Sequence, residues 1–205
     1  MKRTRRSLLK IIPIAALISV APSWFLKQDI SANSDAVENI GSSQTGGEPV
    51  FGVKWDGVQA TVDPKDYRLT VKGNVSNPLH LTLDELYAMP SVNETESLAC
   101  DDTNVAGTAS WEGIPLSYLL NRAGASGNFN HVKVESVNGY HVEIHHDLAL
   151  KSDIILALKF GSSPDTLVPL SQPHGYPARL VFPGKKGGVW VKQVGTITCF
   201  SNDME

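Results

Sequence analysis

Cysteine is scarce in this 205-residue chain, which holds only Cys100 and Cys199. Two thiols are too few for an iron–sulfur cluster or a four-cysteine zinc site, so both drop out. Basic charge is also in short supply: 18 Lys and Arg stand against 21 Asp and Glu, a net charge of −3. That balance leaves no electrostatic footprint for nucleic acid. No apolar run reaches the about 20 residues that a helix needs to cross a bilayer core. Also missing are the GK[ST] phosphate-loop string, a G-x-G-x-x-G after a strand, the HExxH zinc motif and a C-x-x-C-H haem site. With 41% apolar residues, what is left is an ordinary globular protein of one domain or a small pair.

Charge is unevenly spread. Residues 1–32 hold six of the 18 Lys and Arg and one of the 21 Asp and Glu, so the remainder carries 12 against 20, a net of −8. A domain with that charge repels anionic polymers and anionic lipid surfaces at long range, and its partner is expected to be neutral, cationic or small.

The basic start MKRTRRSLLK is followed by a run of about 16 mostly apolar residues, Ile11 to Leu26, interrupted only by Pro13, Ser19, Pro22 and Ser23. This reads as a signal segment over 1–32 with cleavage near Ala32, and a retained membrane tether through residues 11–26 is the alternative. Arg5-Arg6 with Ser7, Leu8, Leu9 and Lys10 resembles the twin-arginine export signal, whose machinery moves proteins already folded. Such cargo often takes up its cofactor in the cytoplasm. Residues 33–50 are rich in Ser, Gly, Asn and acidic residues and read as a flexible linker, which places the folded domain at 51–205.

Within that domain, Tyr67–Gly73 alternates apolar and polar residues as a half-buried strand does. Thr82, with Glu85 three residues on, caps a short helix over 81–89 that Pro90 ends; Ile114–Ala123, with Pro115 in its first turn and Gly124 past its end, is a second helix. His131–Val137 and Tyr140–His145 flank Asn138-Gly139, a strong hairpin signal. Ser91–Ala99, Ile154–Phe160 and Ala178–Phe182 read as strands, Val189–Cys199 as one or two more, and residues 101–110 as irregular. The sum predicts an α+β fold, a β-rich mixed-sheet domain with short helices.

Three stretches are candidates for chemistry. Cys100 either pairs with Cys199, closing a loop of about 100 residues worth a few kcal/mol in the chain-entropy account, or gives a soft metal its thiolate. The segment Pro173–Lys192 combines Gly and Pro with Arg179, Lys185, Lys186 and Lys192, and either cradles an anion or forms tight β-turns. His141, His145 and His146 are either metal ligands or part of a solvated strand face.

Taken together, these residues resemble the molybdopterin-binding domain of the sulfite oxidase family over residues 63–198. The most specific part is His174-Gly-Tyr-Pro-Ala-Arg179-Leu-Val-Phe-Pro183-Gly184, then Gly187 and Val191-Lys192. Leu98-Ala99-Cys100 and the W-x-G-x-P-L-x-x-L-L string from Trp111 agree with it, as does DYRLTVKGNVSNPLHLTLDEL near the start of the domain. The resemblance implies an exported oxidoreductase with a Mo-molybdopterin cofactor, catalysing two-electron oxygen-atom transfer. Carried over position by position, Cys100 becomes the catalytic and metal-binding residue, while His174, Arg179, Trp190, Val191 and Lys192 become cofactor-binding. Cys199 is then a structural bystander.

One departure bears on substrate. Sulfite oxidases follow their cysteine with Gly and arginines, whereas this chain has Asp101, Asp102 and Thr103. Carboxylates there oppose a dianion by Coulomb repulsion, which points to a neutral substrate such as a sulfoxide or N-oxide. Electrons would pass to or from a separate partner, a cytochrome or quinone-linked membrane protein, in the periplasm or another extracytoplasmic space. The competing reading is a non-catalytic exported binding module that keeps the fold with a Cys100–Cys199 disulfide.

Overall fold

A computed structural model describes residues 60–99, 105–125, 127 and 129–201. The signal segment, the linker and Cys100 to Asn104 therefore lie outside the described residues. Among those described, no helix is long and apolar enough to cross a membrane.

Among the described residues, ten strands form two five-stranded sheets. In the first, strands β1 (Arg68–Gly73) and β2 (Leu79–Thr82), β5 (His131–Ser136) and β6 (His141–His145), and β10 (Val194–Phe200) are ordered β2-β1-β10-β5-β6. β1 pairs with β10 in parallel and the other neighbours are antiparallel, which makes this sheet mixed. Alternation sets its faces: Leu69, Val71, Val132, Val134 and Ile197 are buried, while Arg68, Lys72, His141 and His145 are exposed. Gly73 adopts φ +92° beside Cys199, and a Cβ there would lie 2.0 Å from the Cys199 carbonyl oxygen, so a side chain would break the β1–β10 ladder.

The second sheet contains β3 (Val92–Ala99), β4 (Val105–Pro115), β7 (Ile155–Gly161), β8 (Val168–Pro169) and β9 (Arg179–Val181), antiparallel throughout. β7 is an apolar run buried on both faces, its one partly exposed residue being Lys159, which pairs with Glu112 on β4 at 2.8 Å. The opposite edge of β7 is shared end to end by two strands: Lys159 and Phe160 face Pro169 and Val168 of β8, and Ile155 to Ala157 face Val181 to Arg179 of β9. β8 and β9 are thus one edge strand interrupted by an excursion of residues 170–178. His174 sits in that excursion.

The helices are short. Helix α1 (Leu83–Tyr87) starts at a capping box: the Thr82 hydroxyl accepts from the Glu85 N–H at 3.2 Å and the Glu85 carboxylate accepts from the Thr82 N–H at 2.8 Å. Helix α2 (Leu116–Arg122) buries Leu116, Leu119 and Leu120, and α3 (His146–Ala149) is a single turn. Both helices α1 and α2 and both sheets feed one hydrophobic core.

Two sequence expectations need correction. Residues 105–110, expected to be irregular, are strand: β4 pairs with β3 from Val105 to Gly113, and Ala99 and Val105, which bracket the stretch with Cys100, are partners. The Gly and Thr content hid the strand, whose edge pairing is backed by Thr95–Ser110 and Ser97–Thr108 side-chain hydrogen bonds. Residues 189–193, expected as strand, instead form the end of a 3-10 turn at Gly187–Val189 and a bent connection with a left-handed residue at Gln193 before β10.

Candidate functional site

The site is built at the interrupted edge of the second sheet. β9 delivers Arg179, which is 3% exposed although charged. On the far side of β9 runs the 191–194 segment, held by Leu180 N–H to the Val191 carbonyl at 2.8 Å and Val194 N–H to the Ala178 carbonyl at 2.9 Å. This backbone pairing carries Trp190, Val191 and Lys192 alongside Arg179. The excursion supplies His174 at the end of a 3-10 turn (Gln172–His174) that stops on left-handed Gly175.

Arg179 lies against two indoles, with its guanidinium carbon 5.3 Å from the Trp111 ring centroid and 5.7 Å from that of Trp190. Its Nη1 donates to the His174 carbonyl at 3.3 Å. The two indoles meet edge to face at 5.7 Å, and Trp111 stacks on Phe160 at 5.8 Å. Phe160 in turn packs against the His174 ring at 4.5 Å, and the Trp190 Nε1–H donates to the Lys185 carbonyl at 3.1 Å. His174 Nδ1 shares a 2.7 Å hydrogen bond with the Ser171 hydroxyl.

Electrostatics follow from that packing. Burial, helped by the neighbouring Arg179 and Lys192 cations, pulls the His174 pKa down from 6.5 to about 4, so the ring is neutral at pH 7. The Lys192 stem packs on Gly175, where a Cβ would sit 3.1 Å from both Lys192 Cβ and Cγ. The left-handed φ of +103° at Gly175 and this close approach both call for glycine. A guanidinium, an ammonium and a neutral imidazole thus converge beside an aromatic wall. That donor set suits phosphate oxygens on a flat organic group.

Of the residues expected from sequence, His174, Arg179, Trp190, Val191 and Lys192 come together here, with the Val191 side chain buried and its carbonyl engaged by β9. Cys100 lies outside the described residues. Trp111, Phe160 and Ser171 also belong to the wall and were not expected. The sequence shows Trp111 only as part of a string leading into α2, because one-dimensional pattern cannot show that β4 places it beside Arg179 of β9.

The other candidates resolve differently. His141 and His145 lie exposed on β6, His145 Nδ1 accepts the Asp147 N–H at 3.4 Å as the cap of α3, and His146 packs on Phe129 at 4.7 Å. Among the described residues no group of three His, Cys, Asp or Glu side chains is placed to hold a metal ion. Lys185 and Lys186 are exposed on the Gly-rich loop. Cys199 is a free thiol, fully buried on β10, and burial pushes it up to about 11. The Cys100–Cys199 disulfide of the competing reading is therefore not formed.

An α+β domain that sets a buried guanidinium and a partly exposed lysine against an aromatic wall offers a place for an anionic group on a flat organic molecule. The chain belongs to the oxidoreductase molybdopterin binding domain family, which matches residues 55–205. It is 29% identical over 126 residues to the provisionally named protein-methionine-sulfoxide reductase subunit YedZ1 of Azospira oryzae, covering 62% of this chain and 46% of that protein. With the mitochondrial sulfite oxidase of Drosophila melanogaster it shares 26% identity over 158 residues, covering 64% of this chain and 26% of the other. The chain thus spans less than half the length of either relative. Among solved structures, the sulfane dehydrogenase SoxCD of Paracoccus pantotrophus matches with a TM-score of 0.63 and 26% identity, covering 70% of this chain and 40% of that one. The cofactor of this sulfite oxidase-type domain is Mo-molybdopterin.

Proposed function

We propose that this chain is the catalytic domain of an exported molybdenum oxidoreductase that moves an oxygen atom in a two-electron reaction on a neutral substrate, a sulfoxide or N-oxide, rather than on sulfite. The observation that carries the reading is the buried Arg179 and His174 with the partly exposed Lys192 beside Trp111 and Trp190. A phosphate bound there would form charge-assisted hydrogen bonds with the Arg179 guanidinium and the Lys192 ammonium.

In this reading Arg179 and Lys192 bind and orient the phosphate end, Arg179 through its planar fork and Lys192 as a point charge. Neutral His174 adds a hydrogen-bonding group without a third charge. Trp111, Trp190 and Phe160 exclude water from the cations and raise their effective strength. Cys100 provides the thiolate that ligates the metal. When bound, the cofactor supplies the redox chemistry at molybdenum. The net conversion of a sulfoxide takes two electrons and two protons and yields a thioether and water.

Substrate preference follows from charge. Asp101 and Asp102 directly after Cys100, in a domain at −8 once residues 1–32 are set aside, disfavour a dianion. The name of the Azospira relative is in line with sulfoxide chemistry. Electrons come from a separate partner, a cytochrome or quinone-linked membrane protein. Export through the twin-arginine signal places the domain, residues 51–205, outside the cytoplasmic membrane, either released or tethered by residues 11–26.

The test is production in a host that makes the cofactor, followed by molybdenum and pterin analysis of wild type and Cys100→Ser. Turnover is then compared for a methyl sulfoxide, an amine N-oxide and sulfite, with a reduced viologen as donor and ferricyanide as acceptor. Metal in the wild type, its loss in the variant and turnover of a neutral oxide are expected. Faster turnover of sulfite would overturn the substrate reading, and wild type without molybdenum would overturn the whole.

A further inference from the structure

Gln193 is the one non-glycine residue among those described with a left-handed backbone, at φ +52°. It is also 1% exposed, which is unusual for glutamine. A residue held in that conformation is tolerated only where its surroundings over-determine it. Here they do so through four hydrogen bonds. The Gln193 N–H donates to the Gly175 carbonyl at 3.2 Å, and its own carbonyl accepts from the Val137 N–H at 2.9 Å. Its side-chain Nε2 donates to the Ala60 carbonyl at 2.7 Å and to Gln172 Oε1 at 3.3 Å.

Two of these contacts, to Gly175 and Gln172, tie the residue after Lys192 to the segment that carries His174, while those to Val137 and Ala60 anchor it to the rest of the domain. Gln172 opens the 3-10 turn that ends in His174, and Gly175 closes it. Lys192 precedes Gln193 and rests its stem on Gly175. The left-handed turn also breaks strand alternation, so that Gln193 and Val194 are both buried while Lys192 stays partly exposed. An ordinary extended residue at 193 would carry the alternation on and rotate Lys192 relative to β10.

We propose that Gln193 is a positioning residue of the cofactor cradle, fixing the Lys192 stem and the His174 turn relative to each other. The proposal rests on the assignment of Lys192 and His174 to cofactor binding made above. Gln193 acts through those two residues. Outer partners of this kind set affinity by orienting the groups that touch the ligand, and their loss typically costs about 10–100-fold.

The test uses the full chain made in two hosts, one that synthesises the cofactor and one that does not. It reads pterin and molybdenum per chain, and the rise in Tm from cofactor-free to loaded protein. A merely structural role lowers both melting temperatures together and leaves the rise unchanged, because that rise reports binding to the folded state. Gln193→Gly keeps the left-handed φ and removes the amide; it is expected to lower pterin content about tenfold and to shrink the rise. Unchanged pterin content and an unchanged rise overturn the proposal. Should Gln193→Gly fail to fold, Gln172→Ala decides in its place, since it removes only the acceptor of the 3.3 Å bond and leaves residue 193 intact. Wild type without pterin overturns the site assignment and this proposal with it, whereas loaded wild type with unaffected variants overturns this proposal alone.

Discussion

Acidification should destabilise the cofactor-free protein through His174. The ring has an ordinary value of 6.5 in the unfolded chain and about 4 in the folded one, lowered first by burial and then by Arg179 and Lys192. Above pH 6.5 both states are neutral and the group contributes nothing. Between 6.5 and 4 the unfolded chain binds a proton that the folded chain refuses, so stability falls through that window and levels off below it. Integrating the two titrations gives a loss of about 1.4 kcal/mol at pH 5.5 and about 2.6 kcal/mol at pH 4.5. Carboxylates titrate nearby in pH, so the comparison is with His174→Gln, which keeps a polar group near Ser171 and cannot take up the proton. Urea unfolding of both proteins from about pH 7.5 to about pH 4.5 gives the difference in stability at each pH. That difference should move against the wild type by about 2–3 kcal/mol over the range. A difference independent of pH would refute the reasoning, because it would mean that His174 takes up its proton equally well in both states. In loaded protein a phosphate beside the ring offsets the two cations, and the same curve should be flatter.

Two further outcomes follow from burial. Arg179→Met keeps an apolar chain of similar length against Trp111 and Trp190 but removes the donor to the His174 carbonyl, so the cofactor-free protein should lose about 1–3 kcal/mol of stability. Pterin content, read by fluorescence after release, should be lost; retained pterin would remove Arg179 from the cradle. Cys199, with its thiol pushed up to about 11 and fully buried, should resist alkylation at about pH 8 in the native protein and react in denaturant without any reductant. Mass spectrometry showing that Cys199 labels only after reduction would restore the disulfide reading.

Where local chemistry decides an element, the sequence already shows it. Thr82 and Glu85 satisfy each other's backbone groups whatever lies beyond, and Asn138-Gly139 turns a hairpin with Gly139 at φ +90°. The cationic residues of the 174–192 string were equally visible, as they lie within 20 residues of one another. What escaped depends on distant partners. The strand at 105–110 exists because β3 pairs along it, with β7 joining only from Ser110 on, not because of its own composition. Val189 to Gln193 have strand-like residues, yet β9 and the Gly175 carbonyl claim their backbone groups, and Gln193 turns left-handed. Trp111 reaches the site only through the β4–β7 pairing, which brings in residues roughly 50 positions away. The break between β8 and β9 has no local signature at all, because only β7 reveals the two pieces as one strand.

The place of β10 at the centre of the first sheet, between β1 and β5, bears on the order of assembly during synthesis. Until residues 194–200 emerge from the ribosome, the β1–β2 and β5–β6 hairpins have no common neighbour, and isolated hairpins are marginal in water. The same late stretch brings in the 191–194 segment that completes the cradle. Sheet closure and the docking of residues 191–194 beside β9 therefore arrive together, once β10 has been translated. Contacts between residues this far apart in the chain also make the step slow. If the 174–192 group holds the cofactor, nascent chains stalled before residue 194 should offer it no foothold, so that loading waits for β10 by topology alone.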